Sequence, residues 1–411
     1  MPQENDKVTV KVVQVARRYL AGLSHRKEYS FSFSYDSKGE DPAVTTVSKK
    51  SAQFIYENSL EERINALRLA VQSTILKDAI DQDTFDKSMI VLALKGREFF
   101  DNVLTNEKIY DGPIQIIANR KDYFPLEHVY TYPPPSDKAK ICPNASASLK
   151  ENSINCKNCL DVNSDDECDL YCPLGFIGLR NEIERFDAYD KNDLLEAQKD
   201  IALVFEPLPG KEKIKAFKNT LMGHSGKVDK EDTQVSTRIF NSLKKASDSI
   251  EQATTWNQWK DLVGSKKPDT LLLIVHTQSV GKDLKEIEIG NDLIIKERLS
   301  KSYLAPVEPK QAPVVILIGC NTTDVKTTGF DFSAHFINKG AAIVLSNFTK
   351  ITGRKAGRVI NKMLEFIEQN EGKEMSLSTI VLKIKQHLIN ERILAGLTLV
   401  AHGDADWKLQ L

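Results

Sequence analysis

Two residues of this chain have the types and placement for nucleophilic chemistry. His276 comes near the end of the apolar run DTLLLIVHTQ (269–278), and Cys320 ends the run in APVVILIGCNT (312–322). A thiolate is the reactive form of cysteine, and a nearby imidazole lowers the thiol's pKa or takes its proton. If the two runs are neighbouring parallel strands, both side chains come to one edge of a sheet. The chemistry would then be attack on an acyl carbon, with His276 as base and Cys320 as nucleophile. The turn expected at Gly319–Cys320 would offer the Cys320 N–H to a developing oxyanion. Taken singly, each residue has a plainer reading: cysteine is among the most often buried side chains, and a strand-end histidine is commonly satisfied in a core or turn. His402, in LVAHGDADW, is the runner-up for the base. His335, mid-helix and facing the preceding sheet, and His387, in a late helix, are poorer candidates.

The other five of the six cysteines form a second constellation: Cys142, Cys156, Cys159, Cys168 and Cys172. The Cys156-x2-Cys159 spacing lets two thiolates share one zinc, and Cys168-x3-Cys172 offers a second pair. Four thiolates close a structural tetrahedral site and leave no open position for catalysis. The intervening LDVNSDDE is polar and has little core of its own, so a metal would supply order that burial cannot. Reduced or redox-active thiols in a surface insertion are the alternative.

These groups need elements to hold them. The chain has 411 residues, 41% hydrophobic and 27% charged, as expected of an ordinary globular protein. A net charge of −1, from 56 basic and 57 acidic residues, gives no case for direct nucleic-acid or membrane-surface binding. The start, MPQENDKVTVKVV, is polar, and no apolar run nears the roughly 20 residues a membrane helix needs, so a cytoplasmic location is expected.

Short continuous apolar runs recur from residue 200 onward: DIALVFEP (200–207), DTLLLIVHTQ, APVVILIGCNT and AAIVLSNF (341–348). Between them lie helical patterns at 237–253 and 332–340, the latter closed by Gly340, and further helices are expected near 354–370 and 376–391. This alternation predicts an α/β fold with a mostly parallel sheet covered on both faces, whose chemistry lies beyond the carboxyl ends of the strands. Upstream, residues 51–85 read as helix, GPIQIIAN (112–119) as strand, and CPLGFIGLRNEIERF (172–186) as entering a helix after Gly178. VTVKVVQV and YSFSFSY suggest a short N-terminal β-unit or arm over 1–48, with one large domain over 49–411 and the cysteine-rich insertion at 140–175 inside it. GHSGKVDK (223–230) lacks phosphate-loop spacing, Asp404 and Asp406 are read as solvated or structural, and ERFDAYDKNDLLEAQKD as a solvated face.

With these residues in view, the chain resembles the CHAT family of caspase-like (clan CD) cysteine proteases. PVVILIGCNTTD looks like the family's nucleophile strand with its Cys-Asn-Thr turn, and DTLLLIVHTQ like its histidine strand. FDFSAHFINKGAAIVLSNFTKITGRKAGRVINKMLEFI looks like the following helix, Gly-Ala-Ala strand and next helix. Weaker likenesses are YFPLEHVY, CPLGFIGLRNEIER (with Ile177 for the family's Trp) and LVAHGDADWKL; together they span about residues 50–411. The order also fits, since caspase-type nucleophiles carry their His roughly 50 residues upstream.

The resemblance implies a caspase-hemoglobinase fold and peptide-bond cleavage by a His276–Cys320 dyad with no catalytic cofactor. It also implies a regulated bacterial effector, of a kind that includes anti-phage defence proteins, acting on one or a few protein substrates once a partner or sensor releases it. One position departs from the pattern. Where many such proteases place a Gly two residues after the His, to help build the oxyanion hole, this chain has Gln278. That departure motivates the alternative reading, a catalytically inactive caspase-fold binding module. Glu206, just past IALVF, is a weak candidate for a substrate pocket preferring Arg or Lys.

Overall fold

The computed structural model describes residues 12–19, 27–33, 52–55, 59–76, 81–104, 114–119, 125–151, 156, 168–188, 214–230, 232–280, 284–304, 312–320, 330–349, 351–403 and 408–410. The run at 200–207 with Glu206, residues 321–329 after Cys320, Cys159, and Asp404 with Asp406 lie outside them.

Along the chain come β1 (Val12–Tyr19), β2 (Lys27–Phe33) and β3 (Ala52–Ile55), which pair antiparallel as a small sheet. Helices α1 (Ser59–Leu76) and α2 (Gln82–Phe99) follow, then β4 (Ile114–Asn119), β5 (Pro135–Ile141), α3 (Ala145–Lys150), β6 (Cys168–Tyr171), α4 (Ile177–Arg180) and β7 (Ile183–Ala188). After β8 (Ile214–Lys215) come β9 (Asn219–His224), α5 (Val235–Ala246), β10 (Ser249–Ala253), α6 (Trp256–Lys266), β11 (Thr270–Val280), and a hairpin of β12 (Leu284–Ile289) and β13 (Asp292–Ile295). The last third holds β14 (Val314–Cys320), α7 (Phe330–Asn338), β15 (Ile343–Asn347), α8 (Gly353–Gln369), β16 (Glu374–Ser376), α9 (Leu377–Asn390), β17 (Leu399–Gly403) and β18 (Lys408–Gln410).

The central sheet runs β10-β9-β11-β14-β15-β17-β7-β4, with the β12–β13 hairpin attached to β11. Strands β10, β9, β11, β14 and β15 are mutually parallel, β17 is antiparallel to β15, and β17, β7 and β4 are again parallel. This is the expected mostly parallel α/β sheet flanked by helices.

Alternate residues of β11 and β14 serve two cores, because successive side chains of a strand point to opposite faces. Leu272, Ile274, Val314, Ile316 and Ile318 pack in one core with Val359, Ile360 and Met363 of α8 and Ile239 of α5. Leu271, Leu273, Val275, Val315 and Leu317 pack in the other with Trp256 and Trp259 of α6 and Phe332 and Phe336 of α7. Each such burial contributes about 1.5–3 kcal/mol, which explains why these strands read as unbroken apolar runs.

Three expectations are corrected. The region 51–85 is not one helix: it holds β3, α1 and the start of α2, which Asp81 caps by accepting from the Thr84 N–H at 2.8 Å. The helix expected over 237–253 ends at Ala246, and SIEQA is β10, an edge strand whose residues are mostly part-exposed. The helix after Gly178 is a single turn within α4, and IERFDA is β7.

Helix α8 is fastened to α1 by one buried cation. Lys355 Nζ donates to the Ile75 carbonyl at 2.7 Å, in the last turn of α1, where the helix dipole favours positive charge. Lys355→Met is expected to lower unfolding free energy by about 1.5–3 kcal/mol, the range for a charge-assisted bond, measured by urea denaturation.

Candidate active site

The site is set by strand register. β11 and β14 are parallel neighbours, with Thr270 opposite Val314 and the pairing running up to Val275 opposite Gly319 and His276 opposite Cys320. Adjacent strands lie about 4.8 Å apart, so the His276 and Cys320 backbones are side by side at the carboxyl end of the sheet. Position 276 has the parity of Leu272 and Ile274, and position 320 that of Ile316 and Ile318, so both belong to the same face.

A strand buried on both faces does not fix its own register, since a one-residue slip leaves it equally apolar. Gly319 supplies the missing constraint. A Cβ there would stand 1.9 Å from the Val275 carbonyl oxygen, so only glycine tolerates this approach of β14 to β11. Asn347, at the end of β15, adds a second hold by accepting the Gly319 N–H at 3.2 Å through Oδ1.

Two oxyanion expectations meet different geometry. The chain does not turn at Gly319; β14 stays extended through Cys320, and the Gly319 N–H is taken up by Asn347. Gln278 lies within β11, which continues past His276 to pair with β12, and its amide donates to Glu286 Oε2 at 3.0 Å.

That hairpin brings in a residue the sequence reading missed. Glu288 on β12 is the register partner of His276 and is 3% exposed. Burial works against its charge, but bonds from Lys227 Nζ (2.7 Å) and Ser225 Oγ hold its carboxyl below the ordinary range. Ser225 and Lys227 belong to GHSGKVDK, so that segment anchors a buried carboxylate here. Its backbone is tied to the hairpin by Gly226 N–H to the Gly290 carbonyl (2.7 Å) and Gly290 N–H to the His224 carbonyl (2.6 Å). Gly290 has φ +59°, and a Cβ there would meet the Thr254 carbonyl at 2.3 Å. The signal was present as LKEIEIGNDLII, period-two alternation broken by Gly-Asn.

The electrostatics at His276 are mixed. Burial lowers its pKa below 6.5, Lys227 and Lys230 push the same way, and Glu288 opposes them. The balance favours the neutral imidazole, with a carboxylate as its register partner.

The other histidines stand elsewhere. His402 on β17 pairs with Val344, which lies level with Val315. It is thus five residues down the sheet from Cys320, about 16 Å at the usual strand rise. His335 on α7 bonds the Leu299 carbonyl at 2.8 Å, and His387 on α9 lies against Phe366. In the cysteine-rich region, the thiols of Cys142, Cys156 and Cys172 lie within 4.8 Å of one another, all buried. Cys168, half-buried at the start of β6, is not part of that group.

A scan against known protein families finds no match, and no curated protein matches the chain. Among solved structures, the chain is similar to the Saccharomyces cerevisiae separase–securin complex in crystal structures at 2.6 and 3.0 Å. The identities are 12% and 13%, the TM-score is 0.36 in both cases, and the match covers 78% and 79% of this chain. It covers 17% of the chains matched, so this protein corresponds to a small part of their length. Among the described residues, no helix is long and apolar enough to cross a membrane.

Proposed function

We propose that this chain is a caspase-like cysteine endopeptidase with Cys320 as nucleophile and His276 as general base. The observation that carries the reading is the register: His276 and Cys320 are direct partners on adjacent parallel strands at the carboxyl edge of the sheet. His276 takes the thiol proton and the Cys320 thiolate attacks the scissile carbonyl. The C–N bond breaks as imidazolium protonates the leaving amine, and a water deprotonated by His276 then hydrolyses the thioester. Glu288, opposite His276, is a positioning residue that stabilises the imidazolium formed on the way. Consistent with the CHAT resemblance, the substrates are one or a few proteins, and an activating partner or sensor releases the enzyme in a bacterial defence setting.

A fluorogenic peptide library, run with and without candidate activators, tests the activity. Cleavage lost in Cys320→Ala supports the reading. Cleavage retained in that variant would rule out Cys320 as the nucleophile, and cleavage absent under every condition supports the binding-module alternative.

The pH dependence gives a sharper check. Because the folded pKa of His276 is lowered, the neutral base survives below pH 6.5, and the acid limb of kcat/KM lies under that of free imidazole. Glu288→Gln removes the contribution that raises this pKa, so the acid limb moves to still lower pH. At the same time kcat falls about tenfold as the imidazolium loses its stabilising charge. A residue acting only in folding would lower kcat without moving the limb.

A further inference from the structure

We propose that Cys142, Cys156 and Cys172 bind one zinc ion as thiolates, and that this ion ties Cys156 to the ends of β5 and β6. The three Sγ atoms lie within 4.8 Å of one another, with Cys142 and Cys156 at 3.4 Å. Thiolates on a tetrahedral zinc, with bonds of about 2.3 Å, stand about 3.8 Å apart, so little movement is needed. All three residues are at most 1% exposed.

The backbone builds this convergence. β5 and β6 are parallel, with Ile141 opposite Tyr171, and each is followed at once by a Cys-Pro step, Cys142-Pro143 and Cys172-Pro173. The Cys142 N–H donates to the Tyr171 carbonyl at 2.8 Å, and the Cys172 N–H to the Tyr130 hydroxyl at 3.2 Å. Both carbonyls then accept from a turn, Ala145 N–H to Cys142 and Gly175 N–H to Cys172, each at 2.9 Å. Two strand ends thus present two thiols side by side, and the Cys156 thiol joins them.

Two further observations point to an ion. Tyr132 is 1% exposed and its hydroxyl makes no hydrogen bond of normal geometry; its ring lies 6.1 Å from that of Tyr130, the residue whose hydroxyl accepts from Cys172. A thiolate sulfur would accept from the Tyr132 hydroxyl, the usual outer partner of a metal ligand. The buried Arg180 guanidinium stands over the Tyr132 ring at 5.7 Å, a positive charge next to a cluster that becomes anionic on binding zinc. β5 and β6 form a two-stranded sheet packed on α2, where the Tyr171 hydroxyl donates to Asp86 at 2.6 Å, so the thiols that follow the two strands stand on a fixed base. Zinc binding releases the three thiol protons and adds its binding free energy to folding.

The test is elemental analysis of the full chain purified without chelator, followed by cobalt reconstitution after mild zinc removal. The expected results are one zinc per chain and a sulfur-to-cobalt charge-transfer band of tetrahedral intensity. Cys142→Ser, Cys156→Ser and Cys172→Ser should each lose both, while Tyr132→Phe keeps the metal with affinity lowered about tenfold. Cys159→Ser and Cys168→Ser identify the fourth donor. Cobalt reconstitution of the wild-type chain keeps the test informative if a serine variant fails to fold. A chain with no zinc and three titratable thiols, a Cys142–Cys156 disulfide, bound iron in place of zinc, or zinc retained in Cys156→Ser would each overturn the proposal.

Discussion

Cys320→Ala and His276→Ala are each expected to abolish peptide cleavage, with kcat/KM falling about 10⁴-fold or more, and the double variant should lose no more than either alone. Residues that act as a unit show this non-additivity, because the base has nothing to deprotonate once the thiol is gone. The two positions are register partners, Cys320 at the end of β14 and His276 within β11, and the backbone pairing on either side does not depend on their side chains, so each alanine leaves it intact. Thermal unfolding should therefore stay close to wild type. Independent effects that multiply in the double variant would mean that the two residues do not act on one step.

The second large effect is expected from Gly319→Ala. One methyl group would stand 1.9 Å from the Val275 carbonyl, a contact that neither strand can relieve without separating. Val275 and Gly319 are both fully buried, and overpacking of this kind costs about 1–3 kcal/mol or more. The consequence for function exceeds that for stability. His276 and Cys320 are the next residue pair, and a misplacement of about 1 Å can cost about 10²-fold in rate. Denaturant unfolding and the rate of active-site labelling, measured together, should show a folded protein whose labelling is slowed far more than its stability predicts. By contrast, Gly264→Ala, on an exposed helix position with nothing within 4 Å, should leave labelling unchanged and raise stability by about 0.5–1 kcal/mol.

The parts of this architecture that were legible in sequence are those buried on both faces. β11, β14 and β15 lie in the middle of the sheet, where residues 271–275, 314–318 and 343–345 meet a core on both faces, so each reads as an unbroken apolar run ended by small or polar residues. Their helices α7, α8 and α9 were equally readable from periodicity. Among strands at or near an edge, β4 was legible as GPIQIIAN, but β10 and β7 were not. β10 has a neighbour on one side only, and its Ser249-Ile250-Glu251-Gln252 carries too few apolar residues to break the helical pattern before it. β7 follows a single helical turn, and its Glu-Arg-Phe-Asp suits a helix as well as a strand.

The candidate site divides in the same way. His276 and Cys320 could be placed from their own strands. Glu288 could not, because its role depends on β11 continuing past His276 and folding back through β12, a long-range pairing that local pattern does not reveal. The cysteine cluster was visible as spacing, but the group that converges crosses the expected pairs. Cys142 joins through the β5–β6 register rather than through its distance along the chain.

The central claim is that His276 activates Cys320, and covalent trapping tests it most directly. The purified chain is incubated with a peptidyl acyloxymethyl ketone library and candidate activators, and the adduct is mapped by mass spectrometry beside the His276→Ala variant. A single adduct on Cys320, lost when His276 is replaced, is the predicted result. Adducts confined to the Cys142–Cys172 segment, no adduct under any condition, or undiminished Cys320 labelling without His276 would contradict it.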